Sequence, residues 1–296
     1  KAVASFGALF NDIYVLRKNS SGHTVSTMKV PLSYGPRAKF LDRIREQANL
    51  TTDTKVAIYA IVRFLFSVFY SHPTMLEIVL VNVVMPLGIL AMFVAGGIAF
   101  YQRDLKRMLA FSSVSQIGYI LVGLSFMSSK GLTAAIIHLF NHGITKGLLF
   151  MCAGVIFLRY KTSFYKEISG LGRIMPWTSA AFLIGGLSLI GIPGTAGFIS
   201  KWILVQAALE QGSWLIALAI LLSSLIAVLY VWQVTEIMYF GDRSIKGAEI
   251  PVGSFSYFTI WILAGATIFF GLSTSFTLEY SSEAARVLMN EFSLTD

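Results

Sequence analysis

Residues 132–158 read LTAAIIHLFNHGITKGLLFMCAGVIFL, an apolar stretch long enough to cross a bilayer, with His138, His142 and Lys146 in its interior. These side chains lie four residues apart in turn, so a helix stacks them on one face, one turn above the next. At ~1.5 Å per residue His142 and Lys146 fall within about 5 Å of the middle of the stretch, near the centre of a ~30 Å hydrocarbon core. An ionisable group at that depth costs roughly 2.5–3.5 kcal/mol on insertion scales. Packing alone does not explain such a stripe, which makes it the first candidate for function.

The 296-residue chain is 55% hydrophobic and 13% charged, with a mean hydropathy of +0.71. A soluble domain carries about 25% charged residues, so the chain reads as a polytopic integral membrane protein. Its net charge of +8 does not point to nucleic acid, because Lys and Arg sit in loops and in the first fifty residues. The single cysteine, Cys152, lies in an apolar segment. It excludes disulfides and cysteine-based metal sites, and reads as a small core hydrophobe rather than a reactive thiol. The chain starts at Lys1 with no signal peptide ahead of the body, so the expectation is a fragment, or a processed or misjoined chain.

About seven apolar segments follow residue 54, near 55–70, 75–102, 107–127, 132–158, 175–209, 213–240 and 255–278. Short connections between them predict a compact antiparallel helix bundle. Basic residues occupy alternate loops: Arg103, Lys106 and Arg107; then Arg159, Lys161, Lys166 and Arg173; then Arg243 and Lys246. The intervening loops, 71–74, 128–130 and 210–212, hold almost nothing basic. This alternation places the basic loops in the cytoplasm, provided that 175–209 counts as one crossing. The C-terminal tail, 279–296, then lies on the outer side.

Segment 175–209 is too long for one straight span, and in its middle stands GIPGTAG at 191–197. A proline in a helix interior costs roughly 3 kcal/mol and a glycine up to about 1 kcal/mol, so the helix should break at Gly191, Pro193, Gly194 and Gly197. Broken membrane helices are tolerated where the freed backbone lines a polar cavity, and they mark ion paths. Lys201 follows on the second half-helix, again near midplane at ~16 Å from its outer end. Snorkelling is the plain alternative for a membrane lysine, but its stem is too short to reach the interface from there.

Spacing of i, i+4 lets His138 and His142 ligate a metal from one helix face. No Asp, Glu or Cys lies nearby, and Lys146 one turn on repels a cation, so metal and haem are disfavoured. A proton relay fits better: histidine titrates near neutrality, and low dielectric disfavours the charged form of an amine. Asn141 and Thr145 can hydrogen-bond within the same wire, and a purely structural interhelical cluster is the alternative. Glu77 and Glu236 sit near segment ends, so the path favours protons over metal cations, although carbonyls freed at the break can coordinate an ion. Lys55 heads the first segment, with Arg63 two turns along; the residues alone do not settle either role.

Residues 1–50 carry Arg17, Lys18, Lys29, Arg37, Lys39, Arg43 and Arg45 and no stretch long enough to span. They read as a solvated or disordered polar arm, with an interfacial helix over 37–46 as the alternative.

The motifs TKVAIY at 54–59 with Arg63-Phe64, DLKRMLAFSSVSQIGY at 104–119, the stripe at 138–146 and the break at 191–201 have a shared likeness. Together they resemble the antiporter-like membrane subunits of Mrp-type cation/proton antiporters, respiratory complex I and membrane-bound hydrogenases, from about residue 52 to 278. The resemblance implies a fourteen-helix fold with two inverted five-helix repeats, of which 75–240 is the second. It assigns Lys55 as the central lysine joining two half-channels, the stripe as the relay, and Lys201 as the broken-helix lysine near the exit. The stripe looks most like that of the D-type member of the Mrp-type antiporters. The family's first repeat has no counterpart in residues 1–50, so the expectation is a chain truncated or misjoined there.

The expected fold is thus an all-α polytopic membrane helix bundle, divided into 1–50 (basic arm), 51–278 (antiporter-like domain) and 279–296 (tail). The expected function is proton translocation in a multisubunit monovalent cation/proton antiporter of a bacterial plasma membrane. Its proton path is Lys55, His138, His142, Lys146 and Lys201, with Arg63, Lys106, Asn141 and Thr145 as accessory candidates. Its partners would be further subunits, lipid, protons and Na+ or K+; no cofactor, metal or nucleic acid is expected. The alternatives are a proton-pumping subunit of a redox enzyme such as NADH:quinone oxidoreductase, and a haem or metal membrane protein.

Overall fold

The computed structural model describes residues 2–5, 12–18, 24–31, 73–242 and 253–293. Lys55, Arg63, the basic run 37–46, the apolar segment 55–70 and the loop residues Arg243 and Lys246 lie outside the described residues. The chain divides into two units, Lys1–Asn49 and Leu50–Asp296.

In the first unit, strands β1 (Ala2–Ser5), β2 (Asp12–Lys18) and β3 (Thr24–Pro31) form an antiparallel sheet in the order β1-β2-β3. Ala2 pairs with Arg17 and Asp12 with Pro31, and the β2–β3 register shifts between Arg17 and Lys18. The sheet stands where the basic composition suggests only a polar arm. Its cause is readable in DIYVLRK and TVSTMKVP, which are rich in β-branched and apolar residues and separated by the turn chemistry of Asn19-Ser20-Ser21-Gly22.

The second unit is helical wherever it has regular structure. Its long elements are α1 (Thr74–Tyr101), α2 (Leu105–Ser125) and α3 (Ser129–Tyr160). A short turn, α4 (Leu171–Ile174), leads to α5 (Pro176–Ile190) and α6 (Ala196–Glu210). Then follow α7 (Trp214–Phe240), α8 (Ser254–Leu272) and α9 (Ser275–Ser293). Among the described residues, α1, α2, α3, α7 and α8 are long and apolar enough to cross a membrane singly, and α5 and α6 are the two halves of segment 175–209. This is an integral membrane protein. Helix α3 is its hub, packed against α2, α5, α6, α8 and α9.

Helix starts follow the sequence. Pro176 opens α5, where its missing N–H is not needed. Asp104 caps α2 by accepting the Arg107 N–H at 3.0 Å, and also accepts the Ser163 hydroxyl. Asp104→Ala is expected to cost about 1–2 kcal/mol, read as a midpoint several degrees lower in detergent thermal unfolding. An unchanged midpoint would remove the cap from this account.

The C-terminus differs from the expected tail. The last apolar segment ends at Leu272, and α9 continues to Ser293. Thr277, Ser281 and Ala285 recur at helical spacing and are buried, while Glu279, Glu283 and Arg286 face outward. Ala285 packs with Ile120, Leu124, Leu132 and Ala135 of α2 and α3.

Candidate functional site

On α3 the stripe is buried along its whole length: His138, Asn141, His142, Thr145 and Lys146 all lie in the interior, and Lys146 is 1% exposed. The His138 and His142 rings are parallel, with centroids 6.3 Å apart. Lys146 Nζ donates to the Leu109 carbonyl at 2.9 Å and to Ser112 Oγ at 2.6 Å, so α2 holds the amine with neutral oxygens. The same carbonyl accepts the Ser112 and Ser113 hydroxyls at 3.0 and 2.9 Å.

The break between α5 and α6 is built as the Gly/Pro motif requires. Gly191 and Gly194 have φ of +94° and +86°, a left-handed conformation that glycine enters without strain. Ending α5 there leaves its last carbonyls without intrahelical donors. Lys201 Nζ, reaching back from α6, donates to Leu189 and Ile190 carbonyls at 2.9 and 3.0 Å. The lysine thus caps the negative end of the first half-helix. Gly197 permits the two halves to meet: its N–H donates to Ser188 Oγ at 3.1 Å, and a Cβ there would fall 1.8 Å from the Ser188 carbonyl oxygen.

Stripe and break are joined by direct hydrogen bonds. His138 Nδ1 meets Ser200 Oγ at 2.8 Å, Asn141 Nδ2 donates to the Ala196 carbonyl at 2.6 Å, and Thr145 Oγ1 meets Ser188 Oγ at 2.8 Å. The Tyr119 ring touches both ends of this crossing: its centroid is 5.4 Å from that of His138 and 4.6 Å from Lys201 Nζ. Lys201 is 6% exposed. His138 Nε2 and Asn141 Oδ1 make no hydrogen bond among the described residues, which leaves them capacity for water or a transferred proton.

The structure therefore brings His138, Asn141, His142, Thr145, Lys146, Lys201 and Gly197 into one buried region, with Gly191 and Gly194 half-buried and Pro193 exposed at the break. Lys106 is not part of it: it lies in the first turn of α2, its Nζ 3.4 Å from the Phe157 ring centre. Glu77 and Glu236 are exposed. Ser112, Tyr119, Ser188 and Ser200 belong to the site and were not singled out from sequence. The signal was present in SSVSQIGY at 112–119, where Ser112, Ser115, Gln116 and Tyr119 share one face of an otherwise apolar helix.

Comparisons with known proteins give the family. A family model described as the NADH:quinone oxidoreductase/Mrp antiporter transmembrane region matches residues 48–227, and the chain belongs to that family. A second model, the tail sheath stabiliser of T4-like Myoviridae viruses, matches residues 1–61. NADH-quinone oxidoreductase subunit N of Desulforudis audaxviator is 38% identical over 211 residues, covering 67% of this chain and 40% of the relative. The D-type subunit of the Na(+)/H(+) antiporter of Alkalihalophilus pseudofirmus is 30% identical over 242 residues, covering 80% and 48%. A chain in the structure of the Mrp complex from Dietzia sp. DQ12-45-1b superposes with a TM-score of 0.70 at 26% identity, covering 80% of this chain and 51% of that one. The chain thus spans about half the length, or less, of the relatives it matches.

Proposed function

We propose that residues 51–278 are the proton-translocating part of an antiporter-type membrane subunit, working inside a multisubunit monovalent cation/proton antiporter. The observation that supports this reading is the row of buried polar groups from Lys146 through His142 to His138 on α3, the His138–Ser200 contact across to α6, and Lys201 one residue on at the helix break. Both lysines are held by neutral oxygens, so either can release a proton without breaking an ion pair. The imidazoles between them accept and donate through two distinct nitrogens.

In this reading the loops carrying Arg103, Lys106 and Arg107, and Arg159 to Arg173, face the cytoplasm of a bacterial cell. Lys55 joins this path to the upstream half-channel, as the family resemblance implies, with Arg63 as an accessory candidate. The transported ions are protons with Na+ or K+, and the partners are further membrane subunits. Residues 1–50 stand outside this activity as a module of separate origin, a reading supported by two family models that meet between residues 48 and 61.

A redox-driven pump is the second reading, favoured by the relative named as an NADH-quinone oxidoreductase subunit at 38% identity. Co-purification separates the two: small antiporter subunits support the first, whereas NADH- or quinone-binding subunits support the second. Under both, His142→Ala in the assembled complex should lower proton-coupled transport in everted vesicles by about a hundredfold, with the amount of complex on native gels unchanged. Transport at the parental rate would assign the stripe to packing.

A further inference from the structure

At the basic end of the bundle a recess of about 390 Å³ opens between the start of α5 and α8, lined by Ile174, Met175, Pro176, Trp177, Tyr257 and Trp261. Its volume is that of a small-molecule site, and its walls are almost wholly apolar. Trp177 and Trp261 meet edge to face with centroids 5.7 Å apart, yet remain 67% and 37% exposed. None of these residues takes part in the buried path.

An exposed arginine stands beside the lining. Arg173 is exposed and directly precedes the lining residues Ile174 and Met175. The connection from α3 to α5 carries Lys161, Lys166 and Arg173 against a single carboxylate, Glu167, which accepts the Thr162 hydroxyl. Helix α5 begins within the lining, so the positive end of its dipole lies at the same level. The Thr178 and Ser179 hydroxyls in its first turn are buried and have no hydrogen-bond partner among the described residues.

An aromatic cleft beside an exposed arginine and a net basic connection at the end of membrane helices matches one kind of ligand: an acyl chain below and an anionic headgroup above. We propose that this recess binds an anionic phospholipid, its chain against Trp177, Trp261 and Tyr257 and its phosphate beside Arg173. A zwitterionic lipid offers the same chain without net attraction to the basic residues. Juxtamembrane basic residues each strengthen anionic-lipid binding by roughly fivefold.

The two tryptophans report the site directly. The full chain is reconstituted in phosphatidylcholine vesicles in which a small fraction of lipid is replaced by dibrominated phosphatidylglycerol or by dibrominated phosphatidylcholine. The expected result is preferential quenching by the brominated phosphatidylglycerol, about fivefold in apparent affinity, abolished in Arg173→Gln. The preference should also vanish in the Trp177→Phe, Trp261→Phe double variant, although Trp202, Trp214 and Trp232 remain. Equal quenching by the two lipids would overturn the proposal. So would a preference that survives Arg173→Gln, an exposed substitution that leaves the fold intact.

Discussion

Lys201→Arg should leave the protein folded and assembled while lowering proton-coupled transport by at least about a hundredfold. The ammonium caps Leu189 and Ile190 at the break, so removing it altogether, as in Lys201→Ala, leaves buried carbonyls without donors at membrane depth. A loss of activity in Lys201→Ala alone would therefore confound structure with proton transfer. Arginine separates the two. Its guanidinium still donates to the carbonyls, but it does not give up its proton in a protein. Transport is read as acridine-dye quenching in everted vesicles, and assembly as the yield of intact complex. An arginine variant that transports at the parental rate would make Lys201 a structural cap only.

Gly197→Ala should have the largest effect on the fold itself. The Ser188 carbonyl stands 1.8 Å from where the new Cβ would go, and backbone cannot give way as a flexible side chain does. The half-helices must separate, which breaks the Gly197 N–H to Ser188 bond and pulls Lys201 away from the carbonyls it caps. Overpacking on this scale costs about 3 kcal/mol or more, seen as loss of assembled protein and a collapsed unfolding midpoint in detergent. The control is Gly154→Ala in α3, where a Cβ meets nothing within 4 Å and alanine is the better helix former by about 1 kcal/mol. Equal stability in the two variants would mean that the halves do not meet as described.

The parts legible in the sequence were those whose chemistry is costly in a membrane. Histidine and lysine inside an apolar run, and Gly-Pro-Gly inside an overlong one, have few innocent explanations, so the stripe and the break announced themselves. The hydroxyl partners did not. Ser125 and Thr133 satisfy themselves on carbonyls one turn back in their own helices, and a serine on an apolar helix does so by default. Ser200 likewise donates to the Gly197 carbonyl at 3.2 Å, and only the packing of α3 against α6 shows that its oxygen also meets His138. The N-terminal sheet was obscured for another reason. A strand is stabilised by its neighbours, and β2 and β3 are short segments flanked by Lys and Arg, with no strict apolar alternation to mark them. Helix α9 went unseen because its buried face consists of Thr277, Ser281 and Ala285, too small and polar to read as an apolar stripe.

The central claim is that stripe and break form one continuous path, and Ser200 is the hydroxyl that meets His138 at the crossing. The measurement is proton flux into pyranine-loaded proteoliposomes containing the assembled complex, compared for the parent, Ser200→Ala and Ser200→Thr. Alanine removes the oxygen that meets His138 Nδ1, whereas threonine retains it. The predicted result is a loss of flux of about tenfold or more in alanine, recovered in threonine, with equal amounts of complex in all three. Parental flux in Ser200→Ala would show that protons do not cross from His138 to Lys201 through this hydroxyl, and the path as drawn would be wrong.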